Sequence, residues 1–81
     1  MKITLTPKKG AFTAFRAYAD GQIVINTMGT SGSWEGNAIS VEVKAVGVED
    51  SEFECIVTGG IIQHNATHVL DSNGRFDLKL L

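Results

Sequence analysis

The chain has 81 residues, which is enough for one hydrophobic core and too few for two, so residues 1–81 are expected to form a single domain. Nine acidic residues against seven basic ones argue against a nucleic-acid-binding protein, which needs a broad basic face. The single cysteine excludes an intrachain disulfide, and no apolar run reaches the roughly 18 residues that predict a membrane span.

Alternation of apolar and polar residues, the pattern of a half-buried strand, begins at residues 2–6 and returns at residues 22–27. Both segments are rich in β-branched residues, which favour strands. Asp20-Gly21 precedes the second segment and is typical of a tight hairpin turn. The first third of the chain therefore predicts antiparallel strands joined by short turns.

Residues 11–19 allow two interpretations. Phe12, Phe15 and Ala19 have helical spacing in an alanine-rich segment, which would suit a short helix. A hairpin at Asp20-Gly21 instead requires an extended partner for the strand that follows. We favour the strand, in which Phe12 and Tyr18 would share a face with Ala14.

The glycine-rich segment 29–37 predicts the longest loop of the chain and contains Trp34, the only tryptophan. In such a loop the indole either folds back to cap one end of the core or stands out as an anchor for a partner. Asn37, at the end of the loop, would supply polar contacts beside it. We expect Trp34 and Asn37 to belong to any binding surface, with capping the preferred role of the indole.

The clearest strand is residues 39–45, in which Ile39, Val41, Val43 and Ala45 are expected to face inward. Residues 52–58 and 75–80 repeat the alternation. Asn73-Gly74 predicts a hairpin turn before the last of these. About seven short strands in a chain of this length are typical of a sandwich or a small barrel.

Candidate catalytic and metal-ligating residues are few. On a strand, His64 and His68 would lie about 13 Å apart at roughly 3.3 Å per residue, too far for a shared metal ion with bonds of about 2 Å. Cys55 alternates with apolar neighbours and is expected to pack in the core, without a base to activate it. We therefore expect no catalytic site, no metal and no cofactor.

Charges are unevenly distributed along the sequence. Lys8, Lys9 and Arg16 lie in an N-terminal stretch without acidic residues, whereas acidic residues crowd positions 49–54. Such asymmetry suits contacts with a partner surface, or head-to-tail contacts between copies, although solvated faces show the same pattern. The three basic residues join Trp34 and Asn37 as candidate partner-binding residues.

The C-terminal third resembles the closing strands of bacterial and phage immunoglobulin-like domains. Thr58-Gly59-Gly60-Ile61 corresponds to a glycine-containing bend, and residues 66–80 to a strand, an Asn-Gly turn and a last alternating strand. The resemblance implies an all-β, immunoglobulin-like antiparallel sandwich with Greek-key connections. It also implies a non-enzymatic role, such as decoration of a tailed-phage capsid or tail.

The expected function is thus a structural interaction module, a decoration or cement protein that binds a protein lattice on the virion surface and possesses no membrane span. A homo-oligomer would suit so small a core. Two alternatives remain open: a carbohydrate-binding module that uses Trp34 and Asn37, and a phage-encoded inhibitor of a host protein. Outside a virion, the expected location is the cytoplasm.

Overall fold

Two antiparallel four-stranded sheets form the fold in the computed structural model, which describes residues 1–80. Leu81, the last residue of the expected domain, lies outside the described residues. The eight strands are β1 (Lys2–Lys9), β2 (Phe12–Ala19), β3 (Gln22–Thr27), β4 (Gly32–Glu35), β5 (Val41–Gly47), β6 (Glu52–Thr58), β7 (His64–Val69) and β8 (Arg75–Leu80). Sheet A has the order β4-β1-β6-β7, and sheet B the order β3-β2-β5-β8. No helix among these residues is long and apolar enough to cross a membrane.

The expected all-β sandwich is confirmed. Because side chains alternate along each strand, every strand of a sheet presents one face to the other sheet. Phe53 of β6 lies at the centre, with its ring centroid 5.4 Å from that of Phe15 and 5.3 Å from that of Phe76. The buried apolar core contains Ile3, Leu5, Phe15, Ala17, Ala19, Ile25, Val41, Val43, Ala45, Phe53, Cys55, Val57, Ile62 and Leu70.

Strand β2 confirms the extended interpretation of residues 11–19, but its faces differ from those expected. The register between β2 and β5 shifts between Phe12 and Ala14, which marks a β-bulge. The bulge turns Phe12 inward, where its ring lies 4.6 Å from that of Phe15. Tyr18 lies between buried Ala17 and Ala19 and points to the outer face. The prediction that Phe12 and Tyr18 share a face is therefore wrong.

Strand β5 buries Val41, Val43 and Ala45 as predicted, but it begins at Val41, and the predicted inward position of Ile39 is wrong. Ile39 is 73% exposed. The Asp20 carboxylate accepts the backbone N–H groups of Ile39 and Ser40 at 2.9 and 3.0 Å. Because these amides donate to a side chain and not to a neighbouring strand, residues 39 and 40 form a loop and not part of the sheet.

Strand β4 lies inside the segment that was predicted to be a loop, and residues 1–80 thus contain eight strands instead of about seven. It pairs with the edge of β1 that does not pair with β6, so that Trp34 is opposite Ile3. Gly32 permits a close approach to β3, because a Cβ atom at this position would lie 2.7 Å from Cγ2 of Ile25. The β3–β4 edge of the sandwich is closed in this way.

The two predicted turns connect different partners. Asp20 and Gly21 both have positive φ angles, 51° and 82°, and form the expected hairpin between β2 and β3. The turn at Asp71–Gly74, by contrast, joins β7 of sheet A to β8 of sheet B. The prediction of a hairpin there is wrong, although the turn itself is present, with the Asp71 carboxylate accepting the amides of Asn73 and Arg75.

Candidate functional site

Two apolar side chains stand out at one end of the sandwich, where the loop before β5 meets the loop between β6 and β7. Ile39 is 73% exposed and Ile61 is 81% exposed. They line one shallow concavity together with Met1, Asn37 and Gly60. We call these five residues the Ile39–Ile61 surface. Contiguous exposed apolar groups with polar neighbours are typical of protein interaction sites.

The loop that carries Ile39 is held in place by hydrogen bonds to neighbouring segments. Asp20 accepts the Ile39 and Ser40 amides, and its own backbone N–H donates to the Ser40 carbonyl at 3.0 Å. Met1 packs against the core, and its carbonyl accepts the Gly36 amide at 3.0 Å. The exposed isoleucine is thus presented by a fixed loop, which reduces the entropy lost on binding.

Trp34 is half-buried and packs against the core from β4. Its ring lies against Gly36, where a Cβ atom would come within 2.2 Å of Cζ2. The indole therefore caps the β3–β4 edge, as the preferred sequence interpretation had it. Asn37 lies at the Ile39–Ile61 surface and is exposed.

The basic candidates lie elsewhere. Lys8 and Lys9 face Glu54 and Glu52 across β1 and β6, each pair with an N–O distance of 3.9 Å. The charge groups that are separate in the sequence therefore meet on one sheet, and exposed pairs of this length contribute little to stability. Arg16 lies on the outer face of sheet B, in a groove of about 350 Å³ that Lys44, Arg75 and Asp77 also line.

The histidines are much closer than their spacing on a strand suggests. His64 and His68 lie on the inner face of β7, the edge strand of sheet A, with Ala66 between them. Their Nε2 atoms are 2.8 Å apart, a hydrogen-bond distance. The prediction of about 13 Å came from the rise of the backbone, but long side chains lean along the strand and meet over the small alanine. The predicted distance between the two rings is therefore wrong.

His68 lies in an aromatic environment. Its ring centroid is 4.5 Å from that of Phe76 on β8 and 5.7 Å from that of Phe53. Burial, and next the charge of His64, lowers the pKa of His68 below its usual value. The imidazole is therefore neutral at physiological pH.

Cys55 is fully buried, and burial raises the pKa of its thiol to about 11. The thiol is protonated at neutral pH and is not an activated nucleophile. Among residues 1–80, no group of three or more histidine, cysteine, aspartate or glutamate side chains is placed to hold a metal ion. A four-ligand structural zinc site of protein side chains is thus not formed by this part of the chain.

Comparison with protein-family models, with curated proteins and with solved structures returned no match. The resemblance to phage immunoglobulin-like domains therefore stays a prediction. Of the candidate partner-binding residues, only Asn37 lies at the Ile39–Ile61 surface. Sequence reasoning missed Ile61, although an isoleucine directly after two glycines, in a bend, was a signal that it could lie outside a strand.

Proposed function

We propose that this protein is a non-enzymatic interaction module that binds a protein surface through the Ile39–Ile61 surface. The observation that carries the proposal is the exposure of Ile39 and Ile61 side by side on adjacent loops. Each isoleucine gains about 1.5–3 kcal/mol when it is fully buried. A partner that covers both would gain a substantial part of a typical binding free energy.

The partner we propose is a protein lattice, with the module acting as a decoration or cement protein on a virion. The virion setting rests on the sequence resemblance of the C-terminal third. A protein lattice also suits the chemistry of the surface, because apolar side chains with one amide beside them match a protein surface better than a phosphate backbone or a sugar. A carbohydrate site on Trp34 is less suitable, since much of the indole is covered by the core and Gly36.

The test is cosedimentation of the purified protein with capsid or tail shells from its source. We expect saturable binding that is lost in the double variant Ile39→Asp/Ile61→Asp. The matched control is Val48→Asp, because Val48 is another β-branched residue on a loop and is 61% exposed. All three positions are exposed, so the variants are expected to fold.

The outcomes separate the proposed partner from other ones. Binding that the double variant retains would contradict the role of the Ile39–Ile61 surface. Failure to bind any shell, combined with a wild-type signal on a glycan array that Trp34→Ala abolishes, would favour the carbohydrate-binding alternative. Sedimentation equilibrium of the protein alone tests whether a second copy covers the surface: a dimer that dissociates in the double variant would replace the lattice as the partner.

A further inference from the structure

The histidine pair on β7 has the geometry of an incomplete metal site. The planes of the two rings lie within 5° of one another, and the ring centroids are 5.0 Å apart. This distance is too long for face-to-face stacking, and with the Nε2 atoms 2.8 Å apart the rings lie edge to edge. Each Nε2 atom thus points at the other.

When each ring carries one proton, two imidazoles at this distance share one hydrogen bond, in which one ring donates its Nε2–H and the other accepts it. We propose that a divalent transition-metal ion of the zinc class replaces this proton, so that His64 and His68 form a two-histidine site. The donor ring moves its proton from Nε2 to Nδ1, and both Nε2 lone pairs then bind the metal. No proton is lost in this exchange, and no oxidation or reduction is required.

The required movement has two parts. Tetrahedral zinc with Zn–N bonds of about 2.0–2.1 Å separates two nitrogen ligands by about 3.3 Å, and its position off the N–N line requires each ring to turn by roughly 35° in its plane. The Nε2 atoms would also have to move apart by roughly half an ångström from their 2.8 Å separation. Ala66, between the histidines on the same strand face, leaves room for this change. Imidazole nitrogen is also a preferred ligand of zinc, copper and nickel.

The aromatic neighbours favour binding by limiting the freedom of one ligand. His68 lies between Phe53 and Phe76, which restrict the rotation of its ring. A ligand whose ring already has little rotational freedom loses less entropy when the metal arrives. Both histidines are half-buried at the edge of the sandwich, so an ion can reach them from solvent. Water would occupy the remaining coordination positions.

The test is calorimetric titration of the whole chain with Zn²⁺ at neutral pH. We expect one ion per chain, with affinity at least about tenfold weaker in His64→Gln, since even the loss of an outer partner of a metal ligand costs about 10–100-fold. His64→Gln is the decisive variant because His68 also packs on two phenylalanines. Nitrogen chemical shifts of the histidines provide a second readout, with both Nε2 signals expected to move on titration.

The matched control is Cys55→Ala. Cys55 is opposite Ala66 in the register between β6 and β7, on the same inner face, and is the nearest alternative ligand in the pairing. We expect this variant to retain wild-type affinity for Zn²⁺. Absence of saturable binding by the wild type, unchanged binding by His64→Gln, or loss of binding in Cys55→Ala would each overturn the two-histidine site. None of these results depends on the proposed lattice partner.

Discussion

Ser51 is the one buried polar side chain of the described residues, and replacing it tests how the two sheets are joined. Its Oγ accepts the Ala11 amide at 3.0 Å and donates to the Ala11 carbonyl at 3.2 Å. Its amide donates to Val48 within the β5–β6 loop, and its carbonyl accepts from Leu70, the residue after β7. The hydroxyl therefore ties the β1–β2 connection to the β5–β6 loop, and the backbone of Ser51 links that loop to the end of β7.

In Ser51→Ala the backbone bonds of residue 51 remain, and the Ala11 carbonyl keeps the Val48 amide at 3.0 Å. The Ala11 amide loses its acceptor, and an unsatisfied buried amide costs about 1–3 kcal/mol. Ala11 itself is exposed, which lets water reach the amide and places the expected loss at about 1–2 kcal/mol. A chain of 81 residues has a total stability of about 4–12 kcal/mol.

Urea unfolding followed by Trp34 fluorescence measures this loss, and the melting temperature should fall by about 4–8 °C for each kcal/mol. The matched control is Ser72→Ala, because Ser72 is exposed and its hydroxyl makes no hydrogen bond within residues 1–80, so the change should stay within about 0.5 kcal/mol. If the two variants unfold at the same urea concentration, the hydroxyl of Ser51 does not satisfy the Ala11 amide and the reasoning is refuted.

The remaining predictions concern the core and the two edges of the sandwich. Val41→Asp places an unpaired charge in the core and should unfold the chain, which circular dichroism would show as loss of the strand signal; cooperative melting of this variant would refute the register of β5. Gly36→Ala must displace the Trp34 ring, so the fluorescence maximum should shift to the red. The pKa of His68 is lower in the folded state, so the unfolded chain binds more protons below about pH 7. The free energy of unfolding should therefore fall as the pH drops through about 6.5. A free energy of unfolding that does not change with pH, in buffer that contains a chelator, would contradict this. The double variant His64→Leu/His68→Leu should be at least as stable as the wild type at neutral pH and lose that dependence, as measured by thermal melting.

Much of the fold was predictable because side chains alternate along most of the chain. The alternation identified β5, β6 and β8 with their inner faces, and Asp20-Gly21 identified the β2–β3 hairpin. Strand β4 escaped prediction, since a short segment with two glycines nearby has no clear period of its own. Its strand conformation comes from pairing with β1, a segment far away in the sequence.

The candidate site was less predictable, for two physical reasons. Ile39 continues the alternating pattern of β5 in the sequence, but the Ile39 and Ser40 amides donate to the Asp20 carboxylate and not to a neighbouring strand. Local periodicity cannot show a bond to a side chain in another hairpin. His64 and His68 were judged from the rise of the strand alone, whereas the side chains lean toward each other over Ala66. The distance between two backbone positions does not fix how closely two long side chains approach when a small residue lies between them.

Different kinds of residue occupy the two edges of the sandwich. At the β3–β4 edge Gly32 allows close approach to β3 and Trp34 packs against the core, so that both residues help to bury apolar surface. At the β7–β8 edge two imidazoles occupy inner positions where leucine would bury more apolar surface in a chain with little to spare. We expect that folding does not require histidine at these positions, and the stability of the double leucine variant measures that directly. If the double leucine variant keeps its stability and does not bind zinc, the two histidines serve binding and not folding, because stability and zinc affinity are measured on the same variant.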